Sequence, residues 1–252
     1  MLTLNLFIDG EYWGPMLLEK PVSCATIADC YGVAEDNVVL IKSDEVKMDE
    51  HFCEMAESEL SDWRELQDFI RNNDMSKLDN YEYVCSKMDV EDFAQYAAIE
   101  IYIGNAGWHI NNNSACWRTL KKEKGNEYAD GRWRFCLFDV NWSFEPDSEV
   151  YAQIDKEWDF YQMVKRLCKN EDFRKLYLGE INNMEQTFET SIVSLIIDEW
   201  SNVMEEPIRC HFKRFGIQND ADEVIEKEKK KIISYCINRP DEIDGFNEKL
   251  FE

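Results

Sequence analysis

Apolar and polar positions change period several times along this chain, and each change predicts an element. Residues 2–8 are β-rich with loose alternation, and 11–18 read as a partner strand. Asp9-Gly10 between them is a strong signal for a tight hairpin turn. Residues 26–31 predict a short helix stopped at Gly32, and the β-branched run 37–41 predicts a strand. Residues 44–61 are acidic, with scattered anchors at Met48, Phe52 and Met55, and suggest a mobile insertion. Trp63, Leu66, Phe69 and Ile70 then fall at helical spacing, so a helix is expected over 61–71, ended by Asn72-Asn73-Asp74. Another short helix is expected over 81–88.

Residues 90–102 carry the clearest helical pattern, apolar nearly all round, as in a buried helix, and Gly104 ends it. Polar residues 121–131, with Gly125 and Gly131, read as a hairpin-like connection into a strand over 133–138 that delivers Asp139. Residues 145–159 are acidic and hold Pro146. Helical periodicity resumes over 160–168, and 172–200 predict one or two amphipathic helices with Phe188, Ile192, Leu195 and Ile196 as a core stripe. Residues 203–215 and 222–236 complete a helical tail, in which EKEKKK at 226–231 is a solvated helix face. No internal repeat and no long Gly/Ser linker occurs.

Composition narrows the classes. A length of 252 residues allows one large domain or two lobes sharing a cleft. A net charge of −24 argues against nucleic acid, which needs basic footprints, and favours solubility and basic partners or cations. Nine cysteines, odd in number and without a Cys-x-x-Cys, disfavour a zinc site or a disulfide framework. Most are expected to be buried thiols in a reducing compartment such as the cytoplasm. No apolar run reaches the roughly 18 residues of a spanning helix. Residues 1–8 lack the basic flank and cleavage site of a signal peptide. Gly-x-Ser-x-Gly and His-Glu-x-x-His are absent, and His51, His109 and His211 are scattered. Carboxylates are too abundant for any pair to suggest glycosidase chemistry.

The stretch 101–144 carries the candidate chemistry. It opens a loop holding Asn111, Asn112 and Asn113 and ends near Asp139. An oxygen-rich loop followed by a strand ending in Asp is how kinase-type sites hold Mg²⁺ on nucleotide phosphates. Taken alone, turn-forming asparagines and a capping Asp explain the same residues at least as well.

Several motifs change that weighting. Asn105-Ala106-Gly107-Trp108 leads to the asparagines and then Trp117-Arg118; Arg132-Trp133-Arg134 leads to Asp139-Val140-Asn141. Upstream stand Asp9-Gly10-Glu11-Tyr12-Trp13-Gly14 with Glu19-Lys20, Tyr31-Gly32-Val33, and the run from Asp36 to Lys42. Downstream stand the run from Asn170 to Arg174 and Asn238-Arg239-Pro240. This pattern resembles the CotH kinase family, the spore coat protein H-like atypical kinases, over nearly the whole chain. Met1 falls before what resembles an internal strand of that family, so the opening of the small lobe is expected to be truncated or this member shorter.

The resemblance implies an α+β, protein-kinase-like two-lobed domain. Residues 1–70 would be a partial small lobe with the first helices, and 71–252 a helical large lobe. It implies ATP and Mg²⁺ as cofactors, with Asp139 and Asn112 or Asn113 as metal ligands and Asn141 in place of the second acid of an Asp-x-Asp. Lys20 and Arg118 would contact the nucleotide. Gly107 stands where relatives have the loop aspartate that positions the acceptor, and His109 is a weak substitute for that base. The expectation is a degenerate kinase, a pseudokinase, with Mg–ATP binding left open. An active Ser/Thr kinase of coat or secreted proteins and a structural spore-coat or surface-assembly scaffold are the alternatives. A coat or surface protein, basic in character, is the expected partner; relatives can be secreted, and the compartment stays open.

Overall fold

Asp9 (φ 51°) and Gly10 (φ 80°) both take left-handed backbone. That is the geometry a two-residue turn needs to match the twist of its strands. The turn joins β1 (Leu2–Ile8) to β2 (Glu11–Leu18), antiparallel, with Leu2 opposite Leu18 and an irregularity between Leu6 and Phe7. In this computed structural model, residues 2–42, 53–108, 113–144 and 159–252 are described. The helix proposed to begin at 61 is part of α2 (Cys53–Asn72). The insertion expected over 44–61 is therefore helical from Cys53, and its residues 44–52 lie outside the described chain, as do 145–158 of the later acidic stretch.

The described chain forms two compact units. Residues 1–21 and 185–241 make the first, and 22–184 and 242–252 the second. Residue 70, where the sequence divides the lobes, lies within α2.

The second unit carries α1 (Cys24–Tyr31), β3 (Val38–Lys42), α2, α3 (Leu78–Lys87) and α4 (Val90–Tyr102). Then come β4 (Ala115–Thr119), β5 (Arg134–Cys136), α5 (Phe160–Leu167) and most of α6 (Glu171–Thr187). Ser23 caps α1, its Oγ accepting from the Thr26 N–H at 3.2 Å, and Gly32 ends it at φ 65°. Strands β3, β4 and β5 form an antiparallel sheet with β4 in the middle. The sequence did not suggest β4, for a physical reason. Ala115, Cys116, Trp117 and Thr119 are all buried, so the strand shows no alternation to read. The strand expected over 133–138 shortens to Arg134–Cys136; Trp133 makes only an isolated bridge to Met88.

An aromatic cluster organises this unit. Phe93 and Tyr96 of α4 pack against Phe135 at 4.8 and 5.1 Å, and Trp108 stacks on Phe160 at 5.0 Å. Arg134, almost fully buried, is held by Asp89 at 3.0 Å and Asp130 at 2.9 Å. Burial opposes the ionisation of Asp130, but hydrogen bonds from Arg134 and Arg132 outweigh it and bring its pKa down to about 2.

In the first unit β2 packs on α7 (Thr190–Phe215). Tyr12 donates its hydroxyl to the Pro207 carbonyl at 2.8 Å, Arg214 pairs with Glu11, and Trp13 meets Phe215 edge-on at 6.1 Å. Gly14 (φ 116°) has no room for a side chain, since a Cβ there would stand 2.5 Å from Nδ1 of His211. Helix α7 runs unbroken through Pro207, and α8 (Ala221–Phe251) through Pro240, where shorter segments were expected. The expected core stripe is also corrected. Ile192, Leu195 and Ile196 are exposed, whereas Val193, Ser201 and Met204 are buried. The free thiols differ from expectation as well: Cys116, Cys168 and Cys236 are buried, but Cys30 is exposed and Cys24, Cys85, Cys136 and Cys210 are half-buried.

Candidate functional site

Helix α4 starts at Asp89, whose carboxylate accepts the Asp92 N–H at 3.4 Å, and it gives way at Ile103 to Gly104 (φ 61°). The loop that follows is tied down by one side chain, Asn105, which is 1% exposed. Its Nδ2 donates to Glu100 Oε2 at 2.8 Å and, more weakly, to the Asp139 carbonyl at 3.4 Å. Its Oδ1 accepts the Gly107 N–H at 3.0 Å. Two backbone bonds complete the junction: Ala106 N–H to the Trp142 carbonyl at 3.1 Å, and Phe144 N–H to the Ile103 carbonyl at 2.9 Å. The loop of Gly107 and the segment of Asp139 thus lie side by side. Trp108 anchors the loop from below, its Nε1 donating to the Tyr96 hydroxyl at 2.9 Å.

Glu100 is fully buried beneath this junction. Burial pushes its carboxyl up to about 8, against the opposing hydrogen bond from Asn105. The group is therefore largely neutral at pH 7. Its Oε1 has no hydrogen-bond partner among the described residues.

Asp139 sits half-buried in left-handed backbone at φ 52°, and Asn141 is exposed. Asn113 is also left-handed, at φ 49°. Gly107 is not left-handed, so its backbone would accept any residue. What stands in the way is Asn113: a Cβ on Gly107 would lie 2.7 Å from the Asn113 Nδ2 and 3.3 Å from the Asn105 Oδ1. The amide of Asn113 takes the space where a side chain at 107 would begin.

Two of the remaining candidates are described. Arg118, on β4, pairs with Asp62 at 3.4 Å and lies over the Trp133 ring at 5.2 Å. Lys20 is exposed, past the end of β2 in the first unit. Asn111, Asn112 and His109 lie outside the described residues. Three residues with a part in this region were not singled out from the sequence. Glu100 could have been, as an acid inside an otherwise apolar helix. Asn105 was noted only as part of a motif. Lys42, on β3, places its ammonium 4.4 Å from the ring centre of Phe138, the residue before Asp139; only the folded chain brings these together.

Among the described residues, no group of three or more His, Cys, Asp or Glu gathers to hold a metal ion. Apart from the buried and largely neutral Glu100, the candidate donors on these two segments are one carboxylate, Asp139, with the amide oxygens of Asn113 and Asn141. These are hard oxygens of the type Mg²⁺ takes. One carboxylate suits an ion that arrives with phosphate oxygens better than one held by protein alone.

The described chain is thus an α+β domain, rich in helix with small sheets, whose buried loop borders an Asp-x-Asn segment. The family model for CotH kinase protein matches residues 3–243. The chain belongs to the CotH family. Comparisons with curated proteins and with solved structures gave no match. Among the described residues no helix is long and apolar enough to cross a membrane.

Proposed function

We propose that this chain is a CotH-type, two-lobed kinase domain that has lost efficient phosphoryl transfer and keeps a capacity to bind Mg–ATP. One observation carries the reading. At position 107, where relatives place the acceptor-positioning carboxylate, this chain has a glycine, and the space beside it is filled by the amide of Asn113. An amide cannot take a proton from an acceptor hydroxyl. A positioned general base contributes about 10²–10⁴-fold to such a step. Asn141, in place of a second acid, removes one negative charge from metal recruitment.

In this reading Asp139, Asn141 and Asn112 or Asn113 hold Mg²⁺, which would neutralise phosphate charge. Lys20 and Arg118 are phosphate contacts on the resemblance. Lys42 is added on geometry, since its ammonium already stands beside the Asp139 segment. The partner is a coat or surface protein.

Titration calorimetry of ATP with and without Mg²⁺ tests the binding half. Micromolar to millimolar, Mg²⁺-dependent binding is expected, lost in Asp139→Ala; unchanged affinity in that variant removes Asp139 from the site. Transfer of labelled γ-phosphate tests the other half. The unmodified chain is expected to be near background, and Gly107→Asp with Asn141→Asp to gain activity. Robust transfer by the unmodified chain would refute the pseudokinase reading and favour the active-kinase alternative.

A further inference from the structure

Helix α7 is packed on one side. Val193, Ser201 and Met204 are buried and recur at helical spacing along one face. On another face Ile192, Leu195, Ile196, Trp200 and Val203 form a stripe, each between 44% and 72% exposed. A single exposed leucine needs no explanation, but five large side chains in one stripe do.

The acids on this helix sort by face. Asp198 and Glu205, off the stripe, are engaged, by Lys229 at 2.8 Å and Arg209 at 3.4 Å. Glu199 and Glu206 share the stripe with the apolar residues. Both are exposed, and neither has an ion-pair partner among the described residues; Glu206 accepts only a thiol contact from Cys210 at 3.4 Å. No lysine or arginine occurs between residues 176 and 208. The stripe from Ile192 to Glu206 spans about 21 Å of helix.

This pattern selects among occupants. A second copy related by a two-fold axis would set the stripe against itself, Glu199 facing Glu199 near its middle, which repels. A lipid surface would have to take two carboxylates into its boundary, and anionic lipids would repel them. A helix bearing apolar residues at the same spacing, with lysines or arginines between them, satisfies both halves of the stripe.

We propose that the outer face of α7 is a docking surface for a basic amphipathic helix of a partner protein. The proposal is independent of whether the domain binds ATP or transfers phosphate. Apolar anchors would cover Leu195, Ile196 and Trp200, while basic groups pair with Glu199 and Glu206.

The test uses the full chain and a synthetic 14-residue Leu/Lys peptide with leucines at i, i+3, i+4, i+7 spacing. A scrambled peptide of the same composition is the control. Saturable 1:1 binding is expected for the amphipathic peptide, weakened by salt. The scrambled peptide should bind at least about tenfold more weakly. Leu195→Ser with Ile196→Ser should cost about tenfold or more. Glu199→Lys with Glu206→Lys should do the same and should gain affinity for a Leu/Glu peptide. These positions are exposed, so circular dichroism should show each variant folded. Binding unaffected by both double variants, or equal for the scrambled peptide, would overturn the proposal by placing attraction on the general acidic surface. Concentration-dependent dimers abolished by Leu195→Ser/Ile196→Ser, or binding to phosphatidylcholine vesicles lost in that variant, would overturn it in favour of a second copy or a membrane.

Discussion

Two helices whose sequences both promise a core face end in opposite surroundings. Helix α4, apolar nearly all round, is enclosed: Phe93, Ala97 and Ile101 are fully buried, and so is the acid Glu100. Helix α7 carries a stripe equally suggestive of a core, yet Leu195 is 72% exposed. Periodicity reports which residues share a face, and it says nothing about what covers that face. Around α4 the cover is intramolecular, from Phe135, Trp108 and Phe160. On α7 it is absent from the described chain, and acids stand among the apolar residues. The first helix spends its surface on stability, and the second holds it ready for association.

The largest expected effect tests how enclosed α4 is. Glu100 has a folded pKa of about 8 against an ordinary value of 4.5. Below about pH 4.5 both folded and unfolded chains hold the proton, and no penalty exists. Between about 4.5 and 8 the unfolded chain has lost it and the folded chain keeps it, so stability falls as pH rises; above about 8 the loss is complete. The full loss is on the order of 5 kcal/mol. Urea titrations from pH 4.5 to 9 should show Glu100→Gln gaining on the wild type across this window. Parallel curves would mean that water reaches Glu100.

A somewhat smaller effect is expected at the loop anchor. Trp108→Ala removes a fully buried ring and the bond to Tyr96, and should cost about 3–5 kcal/mol in the same assay. A cost below about 1 kcal/mol would mean the cluster is loose and the comparison with α7 fails. The smallest effect belongs to the other helix. Leu195→Ala should change stability by no more than about 0.5 kcal/mol. A loss of 2 kcal/mol or more would show that its face is covered after all.

Much of the fold was legible because it is local. The hairpin at Asp9-Gly10, helix α4 to the residue, and the stop at Gly32 each follow from neighbouring residues. The long helices were divided or ended early on paper, at residues 200 and 236, where the apolar spacing falters; the folded helices continue for 26 and 31 residues, even through Pro207 and Pro240, because packing along their length outweighs the donor and the strained turn a proline costs. The candidate site was legible only in part. Gly107 and Asp139 stood out through a motif. The roles of Glu100, Asn105 and Lys42 depend on segments that meet from distant parts of the chain, such as Asn105 and Asp139. Asn113 stood out as an oxygen donor, whereas the fold turns its amide nitrogen toward the place of a missing side chain.

The unit that holds the hairpin is assembled from two stretches, 1–21 and 185–241. Tyr12 meets Pro207 across 195 residues of chain. At a ribosomal pace of about 5–20 residues per second, the hairpin therefore waits roughly 10–40 s for its helix. For that interval Tyr12 lacks the Pro207 carbonyl and Trp13 the Phe215 ring that they meet in the fold, long after hairpins form on the microsecond scale. Synthesis speed thus becomes a variable of the fold: slowing translation before residue 185 lengthens the window in which a chaperone, or another nascent chain, can claim the strand first.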